Sequence, residues 1–328
     1  MYTYGPVPSW RYGRSLGVDV TTPPKKCTYN CVYCQLGPTE KHVVSPEAIR
    51  ESLPSTDDIM FEVRSILNRL DRKTVDVLTF SGTGEPTLNL EIGSIVTAIR
   101  ETVKDLPIVL LTNSSLLPRK DVRTALLGFD IVTAKFDAGD EDTFKRINHP
   151  SKGTFALEEI HDGIKQLRKE TKGMVALEVM LLKDSRGFSN IEGSSRQALI
   201  DGIVDLDADL VQIYTPWRPG AVQSIKPVSA TILQDFAKDL EQYIEPEKLW
   251  VYGVHDSRGK QVKWKVHTDL VNETLTLLKR RPCRTIDVSL SLGVIPAVAL
   301  RTLEDLCNTG EIKREKVGPD IFYKKIHV

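Results

Sequence analysis

The chain lacks the features that would tie it to a membrane or to a strongly charged partner. None of the apolar runs in its 328 residues is long enough to span a bilayer. The first six residues, MYTYGP, contain neither the basic nor the apolar region of a signal peptide. Lys plus Arg and Asp plus Glu are equal at 44 each, so the net charge gives no reason to expect a nucleic-acid or membrane partner. We therefore expect a cytoplasmic protein in which any charged site is a local patch.

Cysteine is scarce, and its distribution is uneven. There are five cysteines, an odd number, and three of them, Cys27, Cys31 and Cys34, lie within eight residues. In a reducing compartment this clustering predicts metal ligation and not a disulfide framework. A structural zinc site wants four ligands, whereas three thiolates would leave one iron of a [4Fe-4S] cubane open to another ligand. The alternatives are a zinc site or three unrelated buried cysteines. The other two cysteines, Cys283 and Cys307, are isolated far along the chain and offer no paired ligands for a zinc site.

Apolar and amphipathic segments alternate over the first two thirds of the chain. The segments that predict strands are 15–20, 75–80, 108–112, 131–136, 175–182 and 210–214. The segments that predict helices are 61–70, 90–103, 119–127, 155–167 and 190–206. This alternation implies right-handed βαβ units and a parallel sheet in the α/β class. Six units are too few for a closed barrel, so an open partial barrel and a doubly wound sheet both fit. In either, function lies at the carboxyl ends of the strands.

The pattern changes after Pro219 and Gly220. Residues 229–244 predict a surface helix and 249–254 a short strand, and three helices and a hairpin follow from His267 onward. Helices followed by a hairpin indicate a winged helix-turn-helix. We predict a core domain at 1–225, a connecting segment at 226–265 and a winged-helix domain at 266–328.

Three predicted strands end in motifs that suit a ligand site. The loop Ser81-Gly82-Thr83-Gly84-Glu85-Pro86-Thr87 follows the second strand, Thr112-Asn113 ends the third, and Lys135 and Asp137 end the fourth. Lys135 and Asp137 are two residues apart and share one face. Inside a barrel they must be satisfied, either by a ligand or by each other as a structural ion pair.

The spacing C-x3-C-x2-C, with an aromatic residue before the last cysteine, resembles the signature of the radical S-adenosylmethionine (radical SAM) superfamily. The resemblance covers roughly residues 1–220. It implies a partial (β/α)6 TIM-type barrel, a [4Fe-4S] cluster on Cys27, Cys31 and Cys34, and SAM bound to the open iron. In that family an electron, from a donor such as flavodoxin or ferredoxin, cleaves SAM to a 5′-deoxyadenosyl radical that abstracts hydrogen from a substrate.

The resemblance also implies which residues contact SAM. The loop at 81–87 is similar to the family's Gly-Gly-Glu motif, although Thr83 splits the glycine pair. A bulky residue at Gly84 is therefore expected to weaken SAM binding without loss of the cluster. The implied SAM contacts are Tyr33, Gly82, Gly84, Glu85, Asn113, Lys135 and Asp137.

Further motifs resemble a radical SAM branch related to the tRNA wyosine-base synthases. They are the segments 4–9, 14–19, 146–150 and 214–219. Within them, Arg14, Trp217 and Arg218 are candidates to contact a planar or anionic substrate, because the guanidinium fork matches carboxylate and phosphate. Alternatively, Arg218 merely closes the barrel.

The predicted winged-helix domain at 266–328, called the tail from here on, is locally basic. The residues concerned are Lys279, Arg280, Arg281, Arg284, Lys313, Arg314, Lys316, Lys324 and Lys325. A basic wing can grip nucleic-acid phosphates, but the candidate recognition helix at 296–306 is not strongly basic, and winged helices also dock proteins. The macromolecular substrate is thus expected to be RNA, modified at a base, or a protein or peptide docked by the tail. A non-enzymatic iron-sulfur regulator is the weakest alternative.

Overall fold

The structure, a computed structural model, describes residues 1–254, 269–294, 296–318 and 320–326. The strands of this described chain are β1 Thr3–Ser9, β2 Gly13–Val18, β3 Lys26–Cys27, β4 Lys41–His42, β5 Val77–Phe80, β6 Ile108–Thr112, β7 Ile131–Lys135, β8 Met174–Met180, β9 Leu182–Asp184, β10 Leu210–Tyr214, β11 Ile225–Pro227, β12 Leu249–Val251, β13 Ile312–Val317 and β14 Asp320–Lys325. The α-helices are α1 Thr56–Arg69, α2 Ile92–Thr102, α3 Lys120–Ala125, α4 Glu141–Asn148, α5 Leu157–Glu170, α6 Gly193–Leu206, α7 Ala230–Leu240, α8 Leu270–Arg280, α9 Thr285–Leu292 and α10 Pro296–Asn308. None of the described helices is long and apolar enough to cross a membrane.

One curled sheet organises the chain. Its strand order is β1-β2-β5-β6-β7-β8-β10-β12. All neighbours from β2 to β12 are parallel, and β1 pairs antiparallel with β2 at one edge. Because the parallel strands follow chain order, their carboxyl ends meet at one rim, as in a barrel that stays open. The predicted partial TIM-type barrel is confirmed, and its six predicted strands correspond to β2, β5, β6, β7, β8 and β10.

Two edge strands extend this sheet beyond the prediction. β1 has the sequence TYGPVPS, in which glycine and two prolines resemble a loop, but an edge strand tolerates proline because one row of its N–H groups is unpaired. β12 lies parallel to β10, so part of the segment predicted to be connecting belongs to the main sheet. Residues 255–268, which include the end of that segment, lie outside the described residues. The domain boundaries remain a prediction.

Helix α1 begins earlier than predicted and buries a different face. Ser55 and Asp58 form a reciprocal capping box that starts the helix at Thr56. Phe61, with which the predicted helix begins, is 79% exposed. The buried residues are Ile59, Met60, Val63 and Leu67. Positions 59, 63 and 67 repeat every four residues, whereas position 61 points nearly the opposite way on a helix of 3.6 residues per turn.

The tail packs directly on the edge of the sheet. Its order of three helices and a hairpin is as predicted, although the winged-helix class itself remains a prediction. Val7 of β1 belongs to the same apolar cluster as Leu278, Val288 and Leu303 of the tail. Val271, near the start of α8, is 47% exposed. The tail core is thus continuous with β1.

A buried ion pair also joins the tail to the barrel. Asp19 follows β2 and has no exposed surface, and its carboxylate pairs with Arg280 at the end of α8. Arg280 also donates to the hydroxyl of Thr83 and, at 3.0 Å, to the carbonyl of Met1. Asp19 in turn accepts from the Thr83 hydroxyl at 2.8 Å. One carboxylate therefore holds the end of β2, the loop at 81–87 and the tail together.

We predict that Arg280→Met lowers the free energy of unfolding by about 3–5 kcal/mol, because it leaves a buried carboxylate without its counter-ion. Urea unfolding of the metal-free protein measures this. The matched control is Arg72→Met, which breaks an ion pair with the 75% exposed Asp105 and should change the free energy by at most about 1 kcal/mol. Equal effects of the two changes would contradict the role given to Arg280.

Candidate cluster and cofactor site

A cavity of about 290 Å³ lies at the carboxyl rim of the sheet. The last residues of four strands reach it: Thr112 of β6, Lys135 of β7, Met180 of β8 and Tyr214 of β10. This is the edge at which the parallel strands were expected to place a ligand site. The candidate residues that line it are Cys27, Cys31, Tyr33, Cys34, Gly82, Gly84, Glu85, Asn113, Lys135, Trp217 and Arg218.

Each of the three clustered cysteines faces a nitrogen donor. The amide of Asn113 lies 3.5 Å from Cys27 Sγ, and the amide of Asn148 lies 3.5 Å from Cys31 Sγ. Lys25 Nζ lies 3.1 Å from Cys34 Sγ. Such donors stabilise thiolate sulfurs that carry negative charge, as they do around iron-sulfur clusters. Lys25 was not singled out from the sequence, and Asn148 was noted only as part of the motif at 146–150.

The cysteines fit a cluster better than a single ion. Within the described residues, no three His, Cys, Asp or Glu side chains converge as ligands of one metal ion. A cubane differs, because each cysteine binds its own iron and one cavity must hold the whole cluster. Burial and nearby negative charge raise the pKa of Cys27 to about 12 and that of Cys31 to about 11. Cluster assembly must therefore displace protons from these thiols.

The loop at 81–87 is built against the strand that carries Cys27. The amide of Glu85 donates to the Lys26 carbonyl at 3.0 Å, and the amide of Lys26 donates to the Thr83 carbonyl at 3.3 Å. Gly84 has a φ of +138°, and a Cβ there would lie 1.7 Å from the Lys26 carbonyl oxygen. A bulky residue at Gly84 would displace the backbone next to Cys27, so we now expect it to disturb the cluster as well as SAM binding. Gly82 is equally tight, with its Cβ position 2.0 Å from Asp19 Oδ1.

The Glu85 carboxylate is taken up by the protein itself. It is 1% exposed. It accepts from the Thr112 hydroxyl at 2.6 Å, the backbone N–H of Asn113 at 2.7 Å and the Thr87 hydroxyl at 2.7 Å. Burial raises the pKa of Glu85 even though these hydrogen bonds oppose the shift. Its side chain thus fixes the loop to the end of β6, and any cofactor contact from this loop falls to other groups.

Lys135 and Asp137 form an ion pair inside a larger network. Lys135 Nζ lies 3.0 Å from Asp137 and donates to the Tyr214 hydroxyl at 2.7 Å. Asp137 also accepts from the Tyr33 hydroxyl at 2.5 Å and from the Met180 amide at 2.8 Å. Lys135 lines the cavity, whereas Asp137 lies behind it. The structural ion pair between Lys135 and Asp137 is therefore present. Binding of a ligand by either residue remains a prediction.

A second acidic residue in the network was missed from the sequence. Glu178 sits in the middle of β8, opposite Lys135 in the register, and is 2.8 Å from Arg11. Burial alone would raise its pKa, but attraction by Arg11 and Lys135 lowers the pKa of Glu178 to about 2. The signal was available, because an acidic residue within the apolar run 175–182 must be compensated when buried.

Arg14 does not belong to this site. Its Nε and Nη2 donate to both oxygens of Asp76 at 3.0 and 2.8 Å, at the opposite end of the sheet from the cavity. The assignment of Arg14 to a substrate contact is therefore wrong, because the amino end of a strand points away from the functional rim. Trp217 and Arg218 do line the cavity, and Trp217 stacks on Tyr252 at 5.4 Å.

The basic residues of the tail do not share one surface. Lys313 lies opposite Lys324 in the hairpin and lines a cleft of about 220 Å³, whereas Lys316 lines a different cleft. Arg280 is buried against Asp19, and Arg284 donates to Asp287. The basic residues expected to act together are thus divided, and Lys313 and Lys316 line different clefts.

The comparison with known families identifies this site. Residues 21–186, which include the three clustered cysteines, match the family model described as the Radical SAM superfamily. The chain belongs to this superfamily. It is a radical SAM enzyme, and its cofactors are a [4Fe-4S] cluster and SAM. The regulator alternative loses its support. The wyosine-type branch and the individual SAM contacts remain predictions.

Other similar proteins match almost the whole chain. A UPF0026 protein of Methanocaldococcus jannaschii is 30% identical over 98% of this chain and 95% of its own length. A protein named GTPase Obg in Brachyspira hyodysenteriae is 32% identical over 98% of this chain, which spans 44% of that longer protein. The solved structure of native anSMEcpe with bound AdoMet has a TM-score of 0.50 at 14% identity, covering 82% of this chain and 68% of that chain. This last likeness shows the fold.

We predict that Cys27→Ala, Cys31→Ala and Cys34→Ala each abolish the cluster, because three protein ligands leave no redundancy. Cys283→Ala and Cys307→Ala are the controls and should retain it, since Cys283 belongs to the separate apolar cluster of the tail and Cys307 packs against it. Iron analysis and the thiolate-to-iron absorbance bands after anaerobic reconstitution decide the matter. A full iron complement in any of the first three variants would overturn the ligand assignment.

We predict that Lys25→Met lowers the reduction potential of the cluster by roughly tens of millivolts, because a cation bonded to a ligand sulfur favours the reduced, more negative state. Potentiometric titration followed by electron paramagnetic resonance measures the shift. Lys26→Met is the matched control, since Lys26 Nζ donates to the carbonyls of Thr21 and Thr22 at 3.1 Å and not to sulfur. An equal shift in both variants would mean that the Lys25 contact has no special effect.

Proposed function

We propose that this radical SAM enzyme abstracts a hydrogen atom from a base of an RNA substrate. When bound and reduced, the cluster and SAM supply the 5′-deoxyadenosyl radical that performs this abstraction. The protein's own residues have simpler tasks: Cys27, Cys31 and Cys34 hold the cluster, and the loop at 81–87 and Lys135 line the space beside it. An electron donor such as flavodoxin or ferredoxin supplies the electron with which the reaction starts.

The observation that favours RNA is a basic cleft next to the cluster loop. The cleft is lined on one side by the segment 35–38, which directly follows Cys34, and on the other by the tail. Its lysines are Lys279, Lys313, Lys324 and Lys325. Among the described residues that line it there is no Asp or Glu, although Lys324 pairs with the adjacent Glu315. Lysines grouped in this way attract a phosphate backbone.

The geometry also suits an extruded base. The cavity beside the cysteines is lined by the barrel rim and by Arg281 of the tail, so a base within a paired RNA would have to leave its stack to reach the cluster. Enzymes that act on a base take it out of the stack and read it between aromatic side chains. Trp217 and Tyr214 line the cavity and offer such surfaces. The competing proposal, modification of a protein or peptide docked by the tail, is an outcome of the same test.

We predict that cell RNA, and not the protein fraction, stimulates 5′-deoxyadenosine formation by the reduced, reconstituted enzyme in the presence of SAM. Liquid chromatography of the nucleoside products measures this. Stimulation by the protein fraction alone would reject the RNA proposal and favour the docked peptide. If neither fraction acts, the substrate is of another class.

RNA binding itself is tested by its salt dependence. Replacing Lys279, Lys313 and Lys325 by Ala should reduce the slope of log affinity against log salt by roughly 2, because each lost phosphate contact removes roughly 0.7 for single strands. The matched control replaces the exposed lysines Lys169, Lys172 and Lys238, which lie on other helices and turns. An unchanged slope in the first variant would show that the cleft does not bind RNA.

A further inference from the structure

Two arginines face the cavity with an empty hydrogen-bonding edge. Arg218 follows β10 and Arg281 follows α8, and both line the cavity that the cysteines line. In each, Nε and Nη2 are buried from solvent and have no hydrogen-bond partner in the described part of the chain. These two nitrogens form the edge with which an arginine grips a carboxylate side-on. Arg14 uses this same edge to bind both oxygens of Asp76.

Nearby acidic groups do not compensate this pair. Asp287 is the carboxylate whose field reaches both arginines, but it already accepts from Arg284 through the backbone amide at 3.0 Å and through Nε at 3.2 Å. Burial alone would raise the pKa of Asp287, yet Arg218 and Arg284 lower it to about 2. Arg284 also pairs with Asp320 at 3.4 Å. Three cations are therefore matched by two engaged carboxylates, and the cavity side of this group keeps an excess of positive charge.

The two guanidinium groups are also close enough to repel each other. Burial first, and the positive charge of Arg281 next, lower the pKa of Arg218 to about 9. Arg218 is held in place by Trp217, whose ring centre lies 3.6 Å from its guanidinium carbon. Holding two like charges together without water or a counter-ion is unfavourable, unless an anion occupies the space between them. A half-buried, oriented pair with buried donor atoms is an arrangement that suits an oxyanion.

We propose that Arg218 and Arg281 together bind an oxyanion, a carboxylate or a phosphate, that is carried by the substrate. This proposal rests on the proposed function, because it assumes that the cavity holds a substrate beside SAM. It assigns the anion to the substrate since both arginines lie outside residues 21–186, the part that matches the superfamily. The residues implied for SAM and the cluster all lie within that part. Substrate recognition thus uses one group from the barrel and one from the tail.

Anion binding is measured with inorganic phosphate and with acetate as probes, by the melting temperature of the reconstituted protein at constant ionic strength, with chloride as the balancing ion. A ligand that binds only the folded state raises this temperature in a saturable manner. Arg218→Gln and Arg281→Gln should each weaken the binding of the preferred probe by roughly 10- to 100-fold, the usual loss for a charge-assisted hydrogen bond. Arg301→Gln, an exposed arginine of the same tail, should leave the titration unchanged.

A second readout guards against a merely structural effect. Because the unpaired charge is costly when no anion is bound, Arg281→Gln should raise the melting temperature of the ligand-free protein, whereas loss of a structural contact would lower it. Tighter binding of phosphate assigns a phosphate-bearing substrate, and tighter binding of acetate a carboxylate.

The proposal fails if neither probe binds saturably to the unaltered protein, or if Arg301→Gln has the same effect as Arg281→Gln. It also fails if Arg218→Gln and Arg281→Gln weaken SAM binding as strongly as they weaken probe binding, since the site would then hold the SAM carboxylate. The probe titration needs no SAM cleavage. Failure of the proposed function, seen as absence of substrate-stimulated 5′-deoxyadenosine, is therefore distinguishable from failure of the anion site.

Discussion

The buried carboxylate of Asp19 is the interaction on which the shape of the cavity depends. It accepts from the amides of Thr21 at 2.9 Å and Thr22 at 3.0 Å, which turn the chain after β2 toward the cysteine loop. It also accepts from the amide of Thr83 at 3.2 Å, and it pairs with Arg280. Because a buried carboxylate must have such partners, these segments can be placed only together. The segment that carries the three clustered cysteines, the loop at 81–87 and the tail are thus one assembly.

This coupling explains why the glycines of the loop tolerate no side chain. Gly82 approaches Asp19 and Gly84 approaches the Lys26 carbonyl, so both positions lie between the carboxylate and the strand that carries Cys27. Glu85 completes the arrangement by fixing the loop to the end of β6. Motifs that the superfamily resemblance connects with SAM are therefore also parts of the scaffold that holds the cysteines. A change in either segment is expected to disturb the binding of both cofactors, because the same residues border the cluster site and the SAM site.

Much of this could be predicted from the sequence, and the exceptions have physical reasons. The six central strands and the cysteine cluster were predictable because β-branched runs and close cysteine spacing are local signals. Arg14 was misplaced because it stands at the amino end of β2, and the amino end of a parallel strand lies away from the functional rim. Glu178 was missed, and Arg281 was interpreted only as one of the basic residues of the tail, because their importance comes from residues distant in sequence. Local patterns cannot show which buried charges meet.

The end of α8 shows how the tail enters the chemistry of the barrel. Arg280 and Arg281 are neighbours, but Arg280 is neutralised by Asp19 while Arg281 lines the cavity with an empty edge. The first contact fixes the position from which the second can act, since α8 ends at Arg280 and Arg281 is extended, with φ of −164°. An anion held between Arg218 and Arg281 would bridge barrel and tail. By linkage, its binding must strengthen the docking of the tail, and a well-docked tail must bind it more tightly.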